Sequence, residues 1–149
     1  MEEEGIWKVP IEGGDPVRVN NAPHALYFAV SPDGKMIAND YSSDAEGRGV
    51  EVTPLDGSTS PKRLDVPLGT IRWSTDSRSI LYIKNEGGTS NIWNQPISGE
   101  PPRQMTHFNR ELIASFELSR DGKQLVMNRG TANRDVVLIR DVSQNRKTD

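Results

Sequence analysis

The sequence predicts an all-β fold, a partial β-propeller of four-stranded antiparallel blades, on three observations. One hairpin unit occurs three times: Leu26 to Ala38 around Ser31-Pro32-Asp33-Gly34, Ile71 to Leu81 around Ser74-Thr75-Asp76-Ser77, and Phe116 to Val126 around Ser119-Arg120-Asp121-Gly122. Its turn aspartates, Asp33, Asp76 and Asp121, stand 43 and 45 residues apart. A second unit of strand and turn recurs out of phase with the first, as Gly5 to Gly13, Gly49 to Gly57, Asn91 to Gly99 and a shorter Asp135 to Val142. No ten-residue stretch carries helical periodicity. A period of this size, with four strand-like runs in each unit, marks propeller blades.

In order along the chain, Met1 to Glu4 is an acidic tail, Gly5 to Ile11 a strand, and Glu12 to Asp15 the turn into a second strand, Pro16 to Val19. A loop at Asn20 to His24 leads into the first hairpin. There Pro32 pre-sets φ for the first turn position, Asp33 suits the second, and Gly34 takes the left-handed conformation that closes a bulged hairpin. Asp121 and Gly122 repeat this arrangement, while the middle copy pairs Asp76 with Ser77. A serine in the left-handed region is expected to cost up to about 1 kcal/mol, so Ser77→Gly is expected to be neutral or stabilising. Asp40 to Arg48 reads as a long polar loop before the pattern restarts.

With strands named A to D from the propeller axis outward, the chain reads C-D, A-B-C-D, A-B-C-D, A-B-C. The repeats then occupy residues 5–142, as a partial blade over 5–20, blades over 21–66 and 67–107, and a partial blade over 108–142, with a polar tail at 143–149. Closed propellers have roughly four to eight blades. This chain falls at or below that lower limit. Its first D strand could pair with its last C strand in a closed ring, and its two terminal blade faces are expected to expose apolar surface. Self-association to complete a ring is the expected remedy.

The bulk composition sets limits on function. A net charge of −3 and a pI near 5.4 leave no electrostatic footprint for nucleic acid or an acidic membrane. The absence of cysteine excludes disulfides and thiolate metal sites. A mean hydropathy of −0.64 fits many short strands alternating with polar turns, and no run is long enough to insert into a membrane. No signal peptide is visible, so the expectation is a cytosolic chain or one whose targeting segment lies outside this sequence.

The apolar strand ending at Val30, the Ser-Pro-Asp-Gly-Lys turn, the Ile37-Ala38 strand, the Ile6-Trp7 and Ile92-Trp93 pairs and the Gln104-Met105-Thr106 ending resemble TolB-type, Trp-Asp-like bacterial β-propellers. The resemblance covers Gly5 to Val142 in register. Arg129 to Ile139 also resembles the end of propellers appended to bacterial Ser/Thr kinases and winged-helix regulators. What the resemblance implies is a non-catalytic scaffold for protein interaction or sensing, a fragment or C-terminal part of a larger propeller, and a periplasmic setting in its TolB members. The alternative is the gating propeller of a prolyl-oligopeptidase-type serine peptidase without its hydrolase domain. Glu51 departs from the pattern by replacing the strand-C tryptophan, which is expected to weaken one blade contact.

Catalytic chemistry finds little support. The histidines are His24 and His107 alone, and no Gly-x-Ser-x-Gly elbow is present. The carboxylates between Asp40 and Glu46 lack a calcium-loop spacing and read as a solvated loop. Gly13-Gly14 and Gly87-Gly88 lie in turns with no following helix, so neither is a phosphate loop. No cofactor and no metal are expected. Trp7, Trp73 and Trp93 recur at blade positions and read as inter-blade packing rather than a ligand platform. Arg72 and Glu117 share one site on the innermost strand of adjacent blades, where they read as an inter-blade ion pair or as two separate solvated charges. Loops on a rigid scaffold carry function, which makes the rim formed by the D-to-A and B-to-C loops, with Asn21, His24, Asp44, Arg48, Arg110 and Glu111, the candidate partner-binding surface.

Overall fold

The computed structural model describes residues 5–22, 25–43 and 47–131. Their structure is all-β and antiparallel, a partial β-propeller of two complete blades flanked by half-blades, with no helix among the described residues. The leading half-blade pairs β1 (Ile6–Lys8) with β2 (Val17–Asn20). The first full blade follows in the order β3 (Phe28–Val30), β4 (Met36–Ser43), β5 (Gly47–Pro54), β6 (Lys62–Leu64). The second repeats it with β7 (Ile71–Trp73), β8 (Ser79–Glu86), β9 (Thr89–Pro96) and β10 (Arg103–Gln104). The trailing half-blade pairs β11 (Leu112–Leu118) with β12 (Leu125–Gly130). The acidic tail, His24, Asp44, the strand expected over 135–142 and the tail at 143–149 lie outside the described residues.

Because side chains alternate along a strand, each sheet presents one apolar face to the blade before it and one to the blade after it. The joint between the full blades is a core of Ala38, Val50, Val52, Leu64, Val66, Ile71, Trp73, Ile80 and Tyr82. The joint between the second full blade and the trailing half-blade centres on Leu81, Ile92, Ile113 and Phe116.

The polar loop expected over Asp40 to Arg48 is shorter than the sequence implies. β4 runs on to Ser43, and its ladder with β5 continues to the pair Ser43↔Gly47. The two bulkiest described polar residues at the start of the stretch, Asp40 and Tyr41, have partners. Asp40 is buried, and its Oδ1 accepts the backbone N–H groups of Leu26 and Tyr27 at 2.9 and 2.8 Å. Tyr41 lies beneath the Arg63 guanidinium, 4.8 Å from its ring centroid. Asp40 therefore fastens the entry of β3 to β4.

Candidate functional site

The three hairpin turns share one hydrogen-bond pattern. In each, a serine hydroxyl donates to the aspartate two residues on, at 2.6 Å: Ser31 to Asp33, Ser74 to Asp76 and Ser119 to Asp121. The same hydroxyls accept from the backbone N–H groups of Met36, Ser79 and Gln124 at 2.9 Å. The aspartates also accept from the N–H groups of Lys35, Arg78 and Lys123. The serine hydroxyl, and after it the backbone N–H, holds each of the three carboxyls below its ordinary pKa, because both bonds favour the charged form. Gly34 and Gly122 have φ of 70°, and Ser77 has φ of 59°. The turn aspartate is visible in the sequence; the serine that orients it is the part the sequence reading left out.

The blades are joined near these turns. Trp73 is buried and donates its indole N–H to the Ala29 carbonyl of the preceding blade at 2.8 Å. The backbone N–H of Asp33 donates to Ser77 Oγ at 3.1 Å. This contact weighs against the stabilising arm of the expectation for Ser77→Gly and favours the neutral one, since the hydroxyl accepts across the joint. At the next joint, a Cβ on Gly122 would stand 2.9 Å from Thr75 Oγ1. Arg72 Nε and Glu117 Oε2 form an ion pair between the second full blade and the trailing half-blade, with the side chains 38% and 63% exposed. The pair lines a cavity of about 250 Å³ together with Pro32, Trp73, Thr75 and Arg120.

Two expectations for strand C are corrected. Glu51, standing in the tryptophan position, is not left without a contact across its joint. It is 6% exposed, and its Oε1 accepts from Asn39 Nδ2 at 3.1 Å and Asn20 Nδ2 at 3.4 Å. Asn20 Nδ2 also donates to Asn39 Oδ1 at 3.0 Å, so β2 is held to β4 and β5 by a buried polar cluster in place of an aromatic ring. Trp7 is not sealed between blades: it is 47% exposed, with the Arg18 guanidinium 5.8 Å from its ring. In the second full blade the equivalent Trp93 is covered by Lys84 of β8, at 4.7 Å. β1 has no such neighbouring strand among the described residues.

The rim residues fall into two groups. Asn21, Arg48 and Arg110 are exposed. Glu111, with φ of 71°, is instead engaged inside the chain, its Oε2 lying 3.1 Å from Arg129 Nη2. The same Arg129 donates to the Arg110 carbonyl at 3.2 Å and stacks over the Phe108 ring at 3.5 Å. The loop before β11 is pinned by Asn91, whose Oδ1 accepts from Phe108 N at 2.7 Å and Thr106 Oγ1 at 3.0 Å. The Ser90 N–H donates to the Glu111 carbonyl at 3.1 Å, which brings the β8–β9 hairpin against the loop before β11. Arg48 holds the place in β5 that Ser90 holds in β9. Arg129 and Phe108 are the rim residues the sequence reading missed. Their signal was positional, because Tyr41, Lys84 and Arg129 are equivalent and each takes part in a cation–ring contact. Among the described residues, no cluster of three or more His, Asp or Glu is arranged to hold a metal, and no helix is long and apolar enough to cross a membrane.

No family model and no curated protein matches the chain. Solved structures do. The crystal structure of TolB from Acinetobacter baumannii superposes with a TM-score of 0.71 at 18% identity, over 91% of this chain and 34% of that one. The structure of the protein described as "putative TolB" from Agrobacterium tumefaciens superposes with a TM-score of 0.68 at 22% identity, over 87% of this chain and 47% of that one. The chain therefore spans between a third and a half of the length of these proteins, and its fold is that of a TolB-like β-propeller.

Proposed function

We propose that the chain is a non-catalytic β-propeller scaffold that binds or senses a protein partner through its loop rim, as part of a larger propeller. The reading is supported chiefly by the loop before β11. It is a connection of the kind that carries binding function on rigid scaffolds, it is pinned at its base by Asn91, and it leaves Arg110 exposed at its tip. Blades that join through packed side chains and short turns supply the rigidity. The span of the chain, 34% and 47% of the TolB structures it superposes on, supports its place in a larger ring.

Site-specific photo-crosslinking in cells tests the reading. A photoreactive residue at Arg48 or Arg110 is expected to capture a protein partner, while one at Lys123, in a β11–β12 turn position, is not. Equal capture from both places, or none from the rim, would remove the rim as the binding surface.

A further inference from the structure

The largest cavity considered lies within the joint between the second full blade and the trailing half-blade. It measures about 830 Å³ and is lined by Ser79, Asn94, Arg103, Gln104 and Met105, with the turn that follows β9. These residues form the outer half of the face that the second full blade turns toward β11–β12. The inner half of that face, with Leu81 and Ile92, is already buried against Ile113 and Phe116. The joint between the full blades shows what fills the equivalent place. There Val52 and Leu64 are 3% and 5% exposed, in one core with Trp93 and Ile97, which strand C of the following blade and its turn contribute. Asn94 holds the place of Val52, and Met105 that of Leu64, yet Met105 is 43% exposed. The cavity therefore has the shape of a strand C, with apolar residues in the places of Trp93 and Ile97.

The chain carries that sequence directly after β12. Asp121 follows Asp76 by 45 residues, and Asp141 follows Pro96 by the same 45. The third copy thus keeps the spacing of the second from the A–B turn to the end of strand C. This offset puts Leu138 in the place of Trp93, Val142 in that of Ile97, and Ala132-Asn133 in that of the Gly87-Gly88 connection. A segment tethered by so short a link is present at high effective concentration beside β12. A further blade of a longer chain would instead pack on the other face of β11–β12, the one that carries Val126, because Leu125 and Met127 already face this joint. A cation also recurs at the joints. Lys8 Nζ donates to the Leu55 carbonyl and Lys62 Nζ to the Ile97 carbonyl, each reaching from one blade to the C–D turn of the next. Arg103 stands opposite Asn94 as Lys62 stands opposite Val52, and its side chain is 80% exposed.

We propose that residues 136–142 of this chain fill the cavity as strand C of the trailing blade, with Leu138 set against Asn94 and Met105 and the Val142 carbonyl accepting from Arg103. The joint so made is more polar than the one before it, since Asn94 and Ser79 stand where Val52 and Met36 stand in the first full blade. The arginine clasp carries a correspondingly larger share of its closure. The strand expected from the sequence thereby acquires a face, a register and a clasp, none of which depends on the rim being the binding surface.

Nuclear magnetic resonance on the full chain, with methyl labelling of leucine, isoleucine and methionine, tests the placement. Close contacts are expected between the Leu138 methyls and the Met105 methyl. None is expected from Ile139, which the proposed register sends to the opposite face. Amides 137–140 are expected to exchange with solvent as slowly as those of β12. Arg103→Gln is expected to speed exchange around Val142 severalfold, while Arg103→Lys keeps it near the parent rate, since a lysine makes this contact in the joint before. Contacts from Ile139 in place of Leu138 overturn the register. Fast exchange throughout 136–142, with no contact from either residue, overturns the occupant. Contacts found only between differently labelled chains in a mixed sample give the cavity to a second copy and overturn it equally. Exchange in Arg103→Gln that matches the parent overturns the clasp.

Discussion

The backbone N–H of Asp33 donates to the hydroxyl of Ser77 at 3.1 Å, so the turn of one blade is fastened to the turn of the next by a residue that is itself in the left-handed region. Two effects of similar size oppose each other here. The conformation costs a serine up to about 1 kcal/mol relative to glycine, and the hydrogen bond returns about 1 kcal/mol.

Ser77→Gly removes both effects and is expected to leave stability within about 0.5 kcal/mol of the parent. Ser77→Ala keeps the strain and loses the acceptor, and it is expected to destabilise by about 1 kcal/mol or more. Denaturant midpoints of the two variants decide the matter. An alanine variant as stable as the parent would show that the contact contributes nothing.

Arg72 and Glu117 meet across the last joint, but both are substantially exposed. Their coupling in a double-mutant cycle with Arg72→Met and Glu117→Gln is therefore expected to lie in the range of about 0.2–1 kcal/mol, and to decline as salt is raised. Strictly additive effects at low salt would mark the two as independent charges lining the cavity.

The turn aspartates give stability a predictable acid limb. Asp33, Asp76 and Asp121 are held below the ordinary value of 3.8 by the serine hydroxyl and the backbone N–H that each accepts. A carboxyl depressed in the folded state contributes stability that is fully present above its unfolded pKa, and that is lost as pH falls through the folded one. Stability is accordingly expected to be insensitive to these groups down to about pH 4 and to fall below it. Carboxyl-carbon titration by nuclear magnetic resonance should place the Asp76 midpoint under 3.8, moving upward in Ser74→Ala. A midpoint that does not move would show that the hydroxyl is not its cause.

Glu51 is expected to tolerate glutamine better than an apolar residue. Its carboxylate accepts the amides of Asn39 and Asn20 in a buried setting, so Glu51→Leu strands donors that have little other recourse and is expected to cost about 1–3 kcal/mol. Glu51→Gln retains a carbonyl oxygen in place and is expected to cost less. Thermal unfolding of the two variants measures the difference. A leucine variant at least as stable as the glutamine one would mean that packing, not the polar cluster, holds the leading half-blade.

The repeat, the antiparallel strands and the turn positions were legible in the sequence because their causes are local. A left-handed turn residue follows an aspartate, apolar residues alternate, and both return at each period of 43 to 45 residues. Which faces touch was not legible, because burial depends on the neighbouring sheet rather than on the strand. Phe28 and Val30 on β3 carry the same alternation as Ile71 and Trp73 on β7, yet the first pair is exposed and the second buried. Trp7 and Trp93 share a sequence position, yet only Trp93 has a strand beside it bearing a lysine to cover its ring. Glu51 broke the apolar pattern and was read as a weak point. Asn39 of the same blade already donates to its carboxylate, and only the approach of Asn20 from another blade makes the position a polar fastening across the joint. Sequence determined each blade by itself; the tertiary structure decided the joints, since a joint depends on residues roughly one blade apart that no local pattern brings together.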